Sequence, residues 1–141
     1  MRIADPRWQA IDNLQAICER VIAMGLPDTS QVEIDILLTD NAELQALNAQ
    51  WRGKDRPTDI LSFPADAGEG GFMGDIAIAY ETASKDAFAQ GKTFSDHLSH
   101  LLIHGLLHLR GFDHETPEEA KIMEAAECAA LLKLGICDPY T

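Results

Sequence analysis

Three histidines, His104, His108 and His114, stand at i, i+4 and i+10, with Gly111 between the last two. On a helix the first pair is one turn apart. Both imidazoles then leave the same face, with Cβ atoms about 6 Å apart. Gly111 can adopt φ > 0, end that helix and let the chain turn back so that His114 approaches the other two. Neutral imidazole is a favoured ligand of Zn²⁺, and three protein ligands with one open position is the usual form of a catalytic zinc site. Ni²⁺, Co²⁺ or Cu²⁺ would also bind such a set in vitro. The spacing is that of H-E-x-x-H-x-x-G-x-x-H, with Gly105 where that motif carries its general-base glutamate. Zinc can still lower the pKa of its water to about 7 without that base. Peptide hydrolysis also needs a proton delivered to a poor amine leaving group. A phosphodiester releases a better alkoxide, whose charge a metal and an arginine can stabilise. Gly105 therefore tilts the chemistry from peptide toward phosphate-ester hydrolysis.

The other candidates have weaker signals. All five histidines lie between positions 97 and 114. His100, one turn before His104, can support a ligand, carry protons or pack the helix; a supporting role fits best, because a fourth histidine ligand would close the catalytic position. His97, near the start of the same helix, is expected on the surface. Asp113 can orient a ligand ring or simply fix a turn. Arg52, Lys54 and Arg56 form a basic knot around Asp55. Arginine matches a phosphodiester with a two-pronged fork, yet an exposed loop with scattered charge would look the same. Asp59 and Asp75 each flank an apparent strand, and the sequence does not choose between capping and lining a cleft.

The elements that must position these residues follow from periodicity. Trp8, Ile11, Leu14, Cys18, Val21 and Ile22 recur at helical spacing up to Gly25-Leu26-Pro27. Val32, Ile34, Ile36 and Leu38 alternate with Glu33 and Asp35 as in a strand with one buried face. Thr39 or Asp40 caps a helix carrying Leu44, Leu47 and Trp51, and 53–57 forms a loop. Ile60–Phe63 reads as a short strand stopped by Pro64, the glycine-rich residues 65–73 as a mobile loop, and Asp75–Tyr80 as another strand. A polar helix reaches about Gln90. Thr93 or Ser95 caps a leucine-rich helix running through His104 and His108 to Arg110. Thr116-Pro117-Glu118-Glu119 is a capping box opening a last helix, which carries Ile122, Met123, Ala126, Ala130 and Leu131 and stops at Gly135. These elements predict an α+β domain: a small mixed sheet covered by about five helices, with the central, zinc-binding helix packed on it.

The length of 141 residues fits one domain spanning 1–141. No apolar run approaches the roughly 18 residues of a membrane span, and the first residues lack the apolar stretch of a secretory signal. A cytoplasmic location is expected, with no membrane partner. Cys18, Cys128 and Cys137 show no paired spacing and read as idle thiols in a reducing compartment. The net charge of −12 argues against a broad nucleic-acid surface but not against a local basic groove. Glu115, Glu118, Glu119, Glu124 and Glu127 supply an acidic run just after the histidines.

The stretch His104-Gly105-Leu106-Leu107-His108-Leu109-Arg110-Gly111-Phe112-Asp113-His114 resembles the H-G-x-L-H-L-x-G-[YF]-D-H motif of the YbeY family of bacterial endoribonucleases and rRNA-maturation factors. Asn48 to Pro64, containing Arg52 and Pro57-Thr58-Asp59-Ile60-Leu61-Ser62-Phe63-Pro64, is similar to the family's R-x-x-x-x-P-T-D-V-L-S-F-P stretch. Gly74-Asp75-Ile76 and the ending Leu134-Gly135 to Pro139-Tyr140 also fit. The likeness covers roughly residues 40 to 140; the first 39 carry only a generic amphipathic pattern. It implies a four-stranded sheet and one Zn²⁺ per chain on His104, His108 and His114, with Arg52 as the catalytic arginine. It also implies single-strand-specific RNA cleavage, acting on the 16S rRNA precursor in 3′-end maturation and in ribosome quality control, with the small ribosomal subunit or ribosomal proteins as partners. Two alternatives remain: a zinc peptidase-like hydrolase that draws its base from elsewhere, and a non-enzymatic ribosome assembly factor with structural zinc, which the acidic charge would suit.

Overall fold

The structure is a computed structural model, and it describes residues 2–25, 33–52, 60–64, 72–109 and 116–136. Its sheet contains β1 (Arg2–Ile3), β2 (Glu33–Thr39), β3 (Ile60–Pro64) and β4 (Phe72–Ala79), in the order β1-β2-β4-β3. β1 runs parallel to β2 and β2 to β4, while β3 is antiparallel to β4. Five α-helices accompany them: α1 (Leu14–Gly25), α2 (Asn41–Arg52), α3 (Tyr80–Ala89), α4 (Phe94–Leu109) and α5 (Pro117–Lys133). The architecture is the expected α+β arrangement with a mixed sheet of four strands.

Period-2 alternation divides the two faces of the sheet. Ile36, Leu38, Ile76 and Ile78 point to one side, into the main core with α1, α4 and α5. Leu37, Leu61, Phe63, Ala77 and Ala79 point to the other and meet Leu44 and Leu47 of α2. α4 lies at the centre of the first layer, against α1, α3, α5, β3 and β4. Leu98, Leu102, Ile103 and Leu106 of α4 are fully buried.

Caps set the helix ends. Asp40, not Thr39, caps α2: its carboxylate accepts from the Glu43 amide at 2.9 Å. Thr93 accepts from the Asp96 amide ahead of α4 (3.1 Å), and Thr116 from the Glu119 amide ahead of α5 (3.2 Å). α5 ends with Gly135 at φ 76°, where Ile136 N–H reaches the Leu131 carbonyl (2.9 Å) and Gly135 N–H the Leu132 carbonyl (3.0 Å). This doubly bonded left-handed stop needs a residue without Cβ strain.

The amino-terminal region departs from expectation. In place of one helix through Trp8 and Ile22 there is a 3-10 turn, Pro6–Ala10, followed by α1. Asp5 caps the turn by accepting from the Arg7 amide at 2.9 Å, and Asn13, at φ 58°, separates turn from helix. Trp8 decides the break. It is fully buried, its indole N–H donates to the Thr39 carbonyl at 2.9 Å, and its ring stands 5.5 Å from those of Tyr80 and Phe94. On α5, Ile122 is exposed although its spacing suggested a core position.

Candidate functional site

Within α4 the i, i+3 and i+4 offsets bring His97, His100, His104 and His108 along one stripe. α5 crosses α4 and supplies a partner. Glu127 lies midway between Met123 and Leu131, one helical turn from each, and all three are buried. One oxygen of Glu127 meets Nδ1 of His104, and the other stands 3.2 Å from Nε2 of His100. The carboxylate is 1% exposed, whereas the His100 and His104 side chains are 16% and 26% exposed. A carboxylate so deeply buried is tolerable only when its oxygens are paired, and here each oxygen has a histidine.

On its far side His104 presents Nε2 to Nε2 of His108 at 3.0 Å, with the ring planes 83° apart. Two nitrogens bound to one tetrahedral zinc at about 2.0 Å stand about 3.3 Å from each other. The observed 3.0 Å is that of an N–H···N hydrogen bond and is a few tenths of an ångström short of the separation of two zinc ligands, so a small opening of the pair would admit a shared metal. Because Glu127 can only accept, the N–H of a neutral His104 lies on Nδ1, which leaves the Nε2 lone pair facing His108. Among the described residues, no set of three or more His, Cys, Asp or Glu side chains gathers around a single metal position. His114, the expected third ligand, lies outside them, as do Asp113 and Gly111, the glycine expected to end the helix.

Gly105 has a packing role that its spacing does not reveal. A Cβ built there would stand 3.1 Å from Cδ1 of Ile60, 3.1 Å from Cδ1 of Ile76 and 3.2 Å from Oγ of Ser62. Position 105 faces β3 and β4, and the missing side chain lets α4 lie against the sheet. A glutamate there would be driven into those side chains.

His97 is not on the surface as expected. It is 3% exposed, and neither ring nitrogen meets a hydrogen-bond partner among the described residues. Burial pushes its pKa down to about 4, helped by Lys92 and His100 and opposed by Asp86. Cys18 fits the reading of an inert core thiol, since burial raises its pKa to about 11.

Asp75 is on the opposite face of the sheet. It pairs in register with Asp35 across β2 and β4, in a groove of about 350 Å³ lined by Arg2, Asp35, Leu37, Leu47, Phe63 and Asp75. Burial raises its pKa, as does Asp35, while Arg2 opposes them. Asp75 thus neither caps a helix nor joins the histidines. Arg52 ends α2, but its side chain lies outside the described residues, as do Lys54, Arg56 and Asp59 and the loops expected at 53–57 and across most of 65–73.

The structure therefore brings together His100, His104 and His108 and adds Glu127, which the sequence reading treated only as one of five acidic residues after the cluster. Its signal was a glutamate centred in an apolar i, i+4 stripe. No helix among the described residues is long and apolar enough to cross a membrane.

Fold and site define a class first: an α+β protein whose central helix carries a histidine pair braced by a buried carboxylate. The family profile for endoribonuclease YbeY matches residues 3–135, and the chain belongs to that family. The endoribonuclease YbeY of Rhodopseudomonas palustris strain BisB18 is 49% identical, over 94% of this chain and 86% of the relative. That of Paramagnetospirillum magneticum is 47% identical over 96% and 90%. A solution structure of a Thermotoga maritima protein superposes with a TM-score of 0.62 at 26% identity, covering 95% of this chain and 91% of that one.

Proposed function

We propose that this protein is a metal-dependent endoribonuclease that cuts single-stranded RNA, with His104, His108 and His114 holding one zinc ion and Arg52 holding the scissile phosphate. The observation that carries this reading is the 3.0 Å approach of the two Nε2 atoms, with His104 tied from behind by Glu127. Family membership supplies the reaction class. A bound zinc ion supplies Lewis acidity toward a phosphoryl oxygen and acidifies a coordinated water. The chain's own residues do the rest. His104 and His108 offer neutral nitrogens from one rigid helix, Glu127 orients the first of them, and Arg52 binds and orients the phosphate as a fixed positive charge. The crowding at Gly105 favours this reading over a peptidase, since position 105 has no room for a general base. The biological setting is 16S rRNA 3′-end maturation and ribosome quality control in the cytoplasm, with the small ribosomal subunit or its proteins as partners. The net charge of −12 suits targeting by such basic partners better than tight binding of naked RNA.

The test is digestion of single-stranded RNA by zinc-loaded protein, with the ends mapped. Arg52→Ala is expected to keep fold and zinc while losing ~100-fold or more in cleavage. His104→Ala is expected to lose both zinc and cleavage. A 5′-phosphate with a free 3′-OH means that water attacked; a 2′,3′-cyclic phosphate means that the 2′-OH did. Wild-type cleavage by Arg52→Ala overturns the arginine's role. Intact RNA alongside wild-type protein that unfolds without zinc favours an assembly factor with structural zinc.

A further inference from the structure

We infer that Glu127 is the positioning residue of the histidine site, and that His100 belongs to the site as the second anchor of Glu127 rather than as a ligand. This rests on the reading that His104 and His108 hold a metal ion.

A carboxylate has acceptors only, so the ring nitrogen facing it carries the proton. With Glu127 on Nδ1 of His104, the nitrogen left with a lone pair is Nε2, which faces His108. The other tautomer would turn an N–H toward the metal position and abolish the ligand. An imidazole in water populates both tautomers; here the neighbouring helix selects one.

Glu127 could not do this if its carboxylate were free to rotate or drawn out to solvent. Two features hold it. Met123 and Leu131, one turn on either side, bury that face of α5 and leave the side chain 1% exposed. His100 then takes the second oxygen at 3.2 Å, which fixes the plane of the carboxylate and presents the first oxygen to His104. His100 and His104 are one turn apart on α4, so one carboxylate reaches both rings. The bond to Glu127 engages Nε2 of His100. The site is then a relay of three side chains, His100–Glu127–His104, that locks α5 to α4 behind the metal position.

Ring-nitrogen NMR on metal-free protein and zinc affinity by chelator competition test this together. Wild type should show His104 with its proton on Nδ1 and bind one zinc ion. Glu127→Leu should mix the two tautomers and weaken zinc ~100-fold, and Glu127→Gln, which keeps a poorer acceptor, should weaken it ~10-fold. His100→Phe should keep one zinc ion and the same cobalt visible spectrum, with affinity reduced several-fold. Should Glu127→Leu fail to fold, the glutamine variant decides alone. Wild-type affinity and tautomer in the Glu127 variants overturn the inference while leaving the metal reading intact. A His100→Phe cobalt spectrum showing a lost nitrogen ligand overturns the part assigned to His100. If wild type itself takes up no zinc, or His104→Ala binds it equally well, the metal reading fails and the inference falls with it.

Discussion

The two sides of α4 are specific for opposite reasons. Toward the sheet, at Gly105, the fold depends on a side chain that is absent: Ile60, Ile76 and Ser62 already fill the space where a Cβ would go. Toward α5 it depends on side chains that are present, the histidines and the buried Glu127 carboxylate, which pairs with two of them. The first side is governed by shape, and any added atom meets a neighbour. The second is governed by polar pairing, and losing a partner leaves a buried polar group short of one. One helix thus holds a close contact with the sheet and an oriented polar site within the same two turns.

The largest expected effect restores the zinc-protease glutamate. Gly105→Glu drives a carboxylate side chain toward Cδ1 of Ile60, Cδ1 of Ile76 and Oγ of Ser62, none of which carries charge. Overpacking and burial of the carboxylate together should cost about 4 kcal/mol or more, a large share of the stability of a single domain. Circular dichroism and urea unfolding of the variant measure this. A stable Gly105→Glu protein would mean that α4 can move off the sheet, and the division between its two sides would not hold.

The polar side has its own internal contrast. His104 has Glu127, while His97, two turns earlier on the same stripe, is buried without a hydrogen-bond partner among the described residues. Its folded pKa of about 4 lies below the ordinary 6.5. The unfolded chain therefore binds the proton more readily. Stability is complete above pH 6.5 and is lost as pH falls from there through about 4. His97→Leu lacks that titration. Relative to its stability at pH 7, the leucine variant should lose less than wild type on acidification, by roughly 2 kcal/mol at pH 5. Urea unfolding at the two pH values gives the difference, and parallel acid profiles would show that His97 gains a proton without penalty.

Sequence made the two sides legible to different degrees. Among the described residues, periodicity revealed α1, α2, α4, α5, β2 and β4, because burial of a stripe or a face repeats along the chain, while polar composition marked α3 and a short apolar run before Pro64 marked β3. β1 has two residues and cannot show a period. The 3-10 turn was hidden because Trp8 sits at a helical offset from Ile11, as Ile11 does from Leu14, yet is held by the Thr39 carbonyl, a contact far away in sequence. The histidine pair was legible from i, i+4 spacing alone. Glu127 was not, because its partners are 23 and 27 residues away on another helix and four other glutamates crowd the same stretch. Gly105 was read for the chemistry it cannot perform; its packing against β3 and β4 depends on which way the helix is rotated, and the spacing of histidines does not state that.

The smallest effect is the most discriminating. Gly105→Ala adds one methyl group and nothing polar, so it isolates shape on the sheet side of α4. Helix propensity favours the change by about 1 kcal/mol, since alanine loses less backbone freedom than glycine. Packing opposes it. Three atoms from three residues on two strands stand 3.1 to 3.2 Å from the new carbon, and they cannot all yield by rotating one side chain. Overpacking of this kind typically costs 1 to 3 kcal/mol. The net should be a loss of about 1 kcal/mol, read as a lower urea midpoint at unchanged slope. A more stable alanine variant would mean that the Ile60 and Ile76 tips give way freely and that propensity outweighs shape. The glycine would then owe its place to something other than the close contact between α4 and the sheet.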